Sequence, residues 1–161
     1  MTINANDFKD AMRRFATGVT VVTSLKDGEP RGVTVSAFAS VSLEPPSVLI
    51  CINREARSYL FISTSKIFCV NILEAKQQHL AERFSGKLRD NQFAGVDYFI
   101  DQTGAPVLNG SLAHLDCQVT GEHHVGSHSI FIGTVLSAAI RSGSPLGYFG
   151  GEFHDFGLTI A

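Results

Sequence analysis

The sequence predicts a mainly β protein, an antiparallel, Greek-key-like barrel with a few peripheral helices. β-Branched and apolar runs recur along the chain with Gly and Pro turns between them, as many short paired strands require. Helical periodicity is confined to a few short stretches. Strands and helices do not alternate as a parallel sheet demands, so an antiparallel barrel that closes its own edges is the economical arrangement. A chain of 161 residues buries about two-thirds of its surface on folding, enough for one core and thin for two. Residues 1–161 therefore read as a single domain.

Phe8, Ala11, Met12 and Phe15 fall at i, i+3, i+4 and i+7, which predicts an amphipathic helix from about Asn6 to Phe15, ended by Thr17-Gly18. Val19–Leu25 reads as a strand, Lys26-Asp27-Gly28 as a turn and Gly32–Phe38 as the hairpin partner. Val41–Leu43 is a short strand ahead of Pro45-Pro46, and Val48–Asn53 a fully buried one. Ser58–Thr64 reads as a short helix, Ile67–Leu73 as a strand and Lys76–Phe84 as a helix anchored by Leu80 and Phe84. Gly86–Gly95 is polar and reads as a loop, with Tyr98-Phe99-Ile100 beyond it. In Leu112–Glu122, Leu112, His114, Asp116 and Gln118 alternate with Ala113, Leu115, Cys117 and Val119, the period-2 signature of a half-buried strand. Gly126-Ser127 turns the chain back as Ser129–Ile140, and Tyr148, Phe149 and Phe153 close it.

Thirteen basic against fifteen acidic residues give a net charge of −2 and a pI near 6.3, so nothing favours nucleic acid or an anionic membrane as partner. Charged residues are 17% of the chain, below the ~25% typical of soluble domains, which leans toward surface hidden in an oligomer. Met1–Lys9 has no secretory pattern, and the apolar run Val48–Ile52 is far short of the ~20 residues of a membrane helix. Cys51, Cys69 and Cys117 are odd in number and two lie inside apolar runs, so they read as buried free thiols in the cytoplasm.

His123, His124 and His128 invite a metal, but the turn at Gly126 breaks their alignment and no carboxylate or cysteine completes a set, so no metal site is expected. There is no G-x-S-x-G elbow, no P-loop and no G-x-G-x-x-G turn. Two stretches carry more. Gly32–Ser42 packs small and hydroxyl residues around Phe38, which lets a flat ligand approach the backbone; the same composition fits an ordinary Ser/Thr-rich edge strand. Asn53-Arg54-Glu55-Ala56-Arg57-Ser58 leaves a strand and enters a helix, where orphan N–H groups and a guanidinium can share a phosphate. Capping by Ser58 with solvated arginines fits equally well.

Six segments occur in order: Phe15-Ala-Thr-Gly-Val-Thr-Val-Val-Thr23, Gly32-Val-Thr-Val-Ser-Ala-Phe38, Ser40-Val-Ser-Leu-Glu-Pro-Pro46, Phe68-Cys-Val-Asn-Ile-Leu73, Gly126-Ser-His-Ser-Ile-Phe-Ile-Gly133 and Tyr148-Phe-Gly-Gly-Glu-Phe-His154. Together they resemble the short flavin reductases of two-component aromatic monooxygenases, the 4-hydroxyphenylacetate and phenol hydroxylase reductase type, from about Asp7 to His154. The resemblance implies a homodimeric, FMN-binding split β-barrel that oxidises NADH or NADPH, reduces FAD or FMN, and supplies reduced flavin to a separate oxygenase acting on phenolic or other aromatic substrates. It implies that Thr34, Val35, Ser36, Ala37 and Phe38 line the isoalloxazine, mostly through backbone groups, with Ser40 and Val41 beside them. Asn53, Glu55, Ala56, Arg57, Ser58 and Tyr59 fall in or beside the segment that holds the flavin's phosphate end, with Arg57 and Ser58 in direct contact. Lys87 lies in a loop near the cofactor. His128 is expected close to the nicotinamide as the catalytic position, with Gly150, Gly151, Glu152 and Phe153 on the same side. Relatives often carry an acidic residue where this chain has Ser127.

Hydride passes directly between the two cofactor rings, so the protein's task is to stack them, and a conspicuous acid–base pair is unnecessary. His128 also reads as a turn histidine bonded to its neighbours. Two other functions fit the same barrel: a non-enzymatic flavin-binding relay or sensor, and a reductase of another acceptor such as iron or cobalamin.

Overall fold

The computed structural model describes residues 2–87 and 90–157; Met1, residues 88–89 within the expected Gly86–Gly95 loop, and residues 158–161 lie outside the described residues. In chain order the elements are α1 (Ala5–Met12), β1 (Thr17–Gly18), β2 (Thr20–Lys26), β3 (Glu29–Val35), β4 (Phe38–Leu43), β5 (Pro46–Asn53), α2 (Arg57–Ser65), β6 (Ile67–Ile72), a 3-10 turn (Ala75–Gln77) leading into α3 (Gln78–Arg83), β7 (Tyr98–Ile100), β8 (Pro106–Leu108), β9 (Ala113–Val125), β10 (His128–Ile140), β11 (Leu146–Phe149) and β12 (Glu152–Asp155). Seven strands form one antiparallel sheet in the order β3-β2-β6-β9-β10-β5-β4. β1, β11 and β12 form a small second sheet, and β7 with β8 a hairpin.

The strongest sequence signals give the central strands. Asp27 and Gly28, with φ of 53° and 79°, make the two-residue turn that joins β2 to β3. Inside the sheet's curl, Val22, Ile50, Ile52, Ile62, Phe68 and Phe131 form the barrel core. Val21, Leu73, Phe84 and Leu146 form a second core that α3 and the C-terminal strands cover.

Four expectations are corrected. The predicted strand Gly32–Phe38 is two strands: β3 ends at Val35, the chain turns at Ser36-Ala37, and Phe38 opens β4, opposite Ile50 of β5. The chain changes partner there, from β2 to β5. Consequently β3 and β4 stand at the two ends of the sheet order and the ladder does not close, the split in the barrel; one bond crosses nearby, the Cys51 N–H donating to Ala37 O at 3.0 Å. The second correction concerns α1, which ends at Met12 and leaves Phe15 beyond it. Asn4 caps the helix, its Oδ1 accepting from the N–H groups of Asn6 and Asp7 at 3.0 and 2.9 Å. Nothing in α1 is buried, and Phe8, Met12 and Phe15 are 56%, 50% and 66% exposed.

Third, the polar face of β9 is buried at His114 and Asp116, while Gln118 farther along is exposed. Asp116 is fully buried and His114 nearly so, because the β7–β8 hairpin and residues 101–105 lie across them. Last, Cys51 is only half-buried, unlike Cys69 and Cys117; all three are free thiols. Among the described residues no helix is long and apolar enough to cross a membrane.

Candidate functional site

The partner change at Ser36-Ala37 exposes the outer edge of β3, and that edge organises the largest cluster of expected residues. Part of it is covered. The Thr34 N–H donates to Phe84 O at 2.9 Å, the Thr34 hydroxyl to Ala81 O at 2.6 Å, and the Gly32 N–H to Gln92 Oε1 at 3.4 Å. A Cβ on Gly32 would sit 2.7 Å from the Phe84 ring, so this close approach needs glycine. Beyond the covered part the edge opens on a cavity of about 240 Å³ lined by Thr34, Val35, Ser36, Ala37, Cys51, Asn53, Ala56 and His128. A second cavity, about 290 Å³, continues from it past the shared residues Val33 and Ala56 and is lined by Arg31, Glu55, Arg57, Ser58, Phe84 and Gln92. The two form one groove with His128 at one end and the start of α2 at the other.

That start of α2 carries no side-chain cap. Asn53 Oδ1 accepts the Glu55 N–H at 2.9 Å and turns the chain out of β5. The N-cap is Ala56, in extended conformation with no side-chain cap, so the first-turn N–H groups have no competing side-chain acceptor. Capping by Ser58 is therefore corrected: Ser58 is the second residue of the helix and buried. Arg57 Nη1 donates to Asp90 Oδ1 at 2.8 Å, and the Arg31 guanidinium lies 5.4 Å from the Phe61 ring centroid.

His128 opens β10 opposite Asn53. Its Nδ1 is 2.9 Å from Ser127 Oγ, so a neutral hydroxyl orients the ring where the resemblance expects a carboxylate. The turn is tied to the α2 side, since the Arg54 N–H donates to Ser127 O at 2.9 Å and Arg54 Nη1 to Gly126 O at 3.4 Å. On the groove wall, partial burial pushes the Cys51 thiol above its ordinary value, which keeps it protonated near neutral pH.

Other expected residues lie elsewhere. Tyr59 is half-buried and packs toward the barrel core, its ring 5.9 Å from that of Phe131. Ser40 and Val41 are exposed on β4 and line neither part of the groove. Lys87 is exposed, next to Gly86 on the groove wall. Phe38 lines a different, apolar cavity of about 490 Å³ with Ser36, Ala37, Leu49, Tyr148 and α1. Gly150, Gly151, Glu152 and Phe153 sit at the β11–β12 hairpin: the Gly150 N–H donates to Arg13 O at 3.0 Å, and Phe153 packs on Tyr148 at 5.4 Å. Ser36 and Ala37 thus border both cavities, with His128 on one side and the C-terminal hairpin beside the other.

The sequence alone missed Arg31, Phe84 and Gln92 as groove walls. Arg31 immediately precedes the Gly32–Ser42 stretch, whereas Gln92 belongs to no motif. His123 and His124 point to no joint role with His128; His124 Nδ1 instead lies 2.7 Å from Ser129 Oγ. Among the described residues no three His, Cys, Asp or Glu side chains are grouped to hold a metal.

With this geometry in hand, the flavin reductase like domain matches residues 12–157. The chain is similar to the reductase subunit HsaB of a flavin-dependent monooxygenase from Rhodococcus jostii, 41% identical over 152 residues, spanning 94% of this chain and 77% of that one. It is similar to the FMN reductase (NADH) SmoA of Agrobacterium fabrum, 40% identical over 153 residues, spanning 95% of this chain and 87% of that one. Among solved structures, the NADH:FAD oxidoreductase SgcE6 of Streptomyces globisporus in complex with NAD and FAD fragments superposes with a TM-score of 0.89 at 35% identity, over 97% of this chain and 96% of that one.

Proposed function

The chain belongs to the family of flavin reductase-like domains, and from that premise we infer that it is an NAD(P)H:flavin oxidoreductase that reduces FAD or FMN and supplies the reduced flavin to a separate monooxygenase. The observation that supports this most directly is the groove along the outer edge of β3, with small residues at one end and an uncapped helix start at the other.

The residues present fit a flavin. Thr34, Val35, Ser36 and Ala37 line this end with short side chains, which lets a flat ring approach the backbone. Arg57 and the first turn of α2, with Ser58 buried inside it, would hold a phosphate at the far end. Electron transfer is the cofactors' own chemistry, a hydride equivalent passing from nicotinamide to flavin. What this chain contributes is placement. His128, held by Ser127 and anchored through Arg54, lines the ring end of the groove and would position the nicotinamide. The β11–β12 hairpin with Gly150–Phe153 stands on the other side of Ser36-Ala37, beyond Tyr148, and would close the nicotinamide side. Lys87 would approach from beside Gly86. Glu55 and Asn53 shape the turn into α2, while Tyr59 acts through the core beneath it.

We also assign a homodimer, because the apolar face of α1 is exposed beside an apolar cavity lined by Phe8, Met12 and Phe15. A cytoplasmic location suits the three free thiols, and a single domain over residues 1–161 suits cores that share the same strands.

The test is NADH oxidation by the purified protein with and without added FAD or FMN. Oxidation that saturates with free flavin is expected. No oxidation with either nicotinamide nucleotide, together with a flavin that survives dialysis, would overturn the reductase reading in favour of a relay.

A further inference from the structure

The groove does not end at the phosphate position. Past Arg31, Arg57 and Gln92, which belong to both, it continues into another cavity of about 470 Å³. That volume falls within the ~300–1,000 Å³ typical of small-molecule sites. A flavin mononucleotide has nothing to put there, since it ends in one phosphate. A dinucleotide has a second phosphate and then a nucleoside.

The boundary and the far walls have matching chemistry. Two guanidinium groups stand where the cavities join: Arg31 rests against the Phe61 ring, and Arg57 is held by Asp90. Paired guanidinium forks suit the diphosphate of a dinucleotide better than a single terminal phosphate. Beyond them Pro30 and Phe93 supply apolar surface for a base, and Phe93 packs between Phe84, tilted at 5.1 Å, and Tyr98, edge-on at 5.2 Å. Glu29 also lines this end. Its carboxylate repels any further phosphate but accepts from ribose hydroxyls and an exocyclic amine, groups that donate. Glu29 therefore stands where a neutral nucleoside would lie, and the two guanidinium groups stand where a diphosphate would cross.

We propose that this second cavity binds the adenosine end of FAD, so that the protein uses FAD in preference to FMN. The proposal rests on the reading of the groove as the flavin site and adds the identity of the flavin. An adenosine diphosphate group also occurs in NADH, and the test separates the two sources.

Steady-state NADH oxidation is measured with FAD and with FMN, and with ADP as an inhibitor. The expected results are a KM for FAD at least about tenfold below that for FMN, and ADP inhibition competitive with FAD and not with NADH. Ala94, exposed at the cavity wall, offers a way to fill the space without deleting a contact. Ala94→Trp should raise the KM for FAD about tenfold more than that for FMN, shrinking the preference. Glu29→Gln tests the acidic end, and should narrow the discrimination between FAD and a dinucleotide carrying an extra ribose phosphate. Equal or lower KM for FMN in the wild type would overturn the proposal, as would a preference untouched by Ala94→Trp. ADP competing with NADH instead would assign the cavity to the nicotinamide dinucleotide and overturn it as well. Loss of the underlying flavin reading looks different: neither flavin would stimulate NADH oxidation.

Discussion

Under the β7–β8 hairpin, polar side chains are buried and bonded to their own chain; along the free edge of β3 they border open cavities. Asn71 Nδ2 donates to Val21 O and Thr23 Oγ1 at 3.0 and 3.1 Å, and its Oδ1 accepts the Leu108 N–H at 2.8 Å. Asp116, without solvent exposure, accepts from the N–H and the hydroxyl of Thr103. These bonds fasten the hairpin across β2, β6 and β9. Along β3, Gly32 and Thr34 are also bonded within the chain, but past them Ser36 and Ala37 border the groove between His128 and α2. Polar groups matched inside the chain make scaffold, and those left facing a cavity mark where a ligand enters.

The contrast breaks first on the scaffold side. Asn71→Ala removes the partners of the Val21 carbonyl and the Leu108 N–H while both stay buried, and should cost about 3 kcal/mol of stability. A urea denaturation midpoint reads this directly. A loss below about 1 kcal/mol would mean that water replaces the side chain and that the hairpin is not anchored there. On the groove side the order reverses. Arg57→Ala should leave stability nearly unchanged, because its pairing with Asp90 is exposed on both sides. The KM for flavin should rise about tenfold, the worth of one charge-assisted phosphate contact. An unchanged KM would remove Arg57 from the phosphate position.

His128→Ala tests the other end of the groove and should have a smaller effect. Replacing one neutral hydrogen-bonding group should raise the KM for NADH about three- to tenfold, with the flavin KM little altered. If turnover and NADH affinity are both unchanged, His128 is a turn residue whose contact with Ser127 is purely local.

The same division explains what could be read from the residues beforehand. β2, β5, β6, β9 and β10 carry uninterrupted apolar or alternating runs, and their periodicity survives because each pairs on both sides. The break between β3 and β4 was not legible, because Gly32–Ser42 has one continuous composition and the interruption is a change of partner, a tertiary event. Nor was β8, whose three residues are too few for a pattern. That β9 buries His114 and Asp116 depends on a hairpin folding over them. In the groove, Thr34–Ala37 and Asn53–Ser58 were accessible as contiguous stretches, as was His128 after its glycine turn. Gln92 was not, since it reaches Gly32 from sixty residues away.

The smallest expected effect concerns how the scaffold side responds to acid. Hydrogen bonds from Ser137 and then from His114, whose Nε2 lies 3.0 Å from Asp101 Oδ2, hold the Asp101 carboxyl below the usual carboxylate range. With the folded value below the unfolded one, the unfolded chain binds more protons in the interval between them, so stability there rises with pH. The contribution is complete above the unfolded value of about 3.9 and disappears as pH falls through the folded one. Asp101→Asn should therefore lower stability slightly at pH 7 and flatten its decline below about pH 4, seen in urea midpoints across that range. Asn71→Ala offers a control, because its side chain bonds to no carboxylate and the variant should follow the wild-type slope. Parallel slopes for Asp101→Asn and wild type would show that the hairpin is held through Asn71 and Asp116, with Asp101 a bystander at its rim.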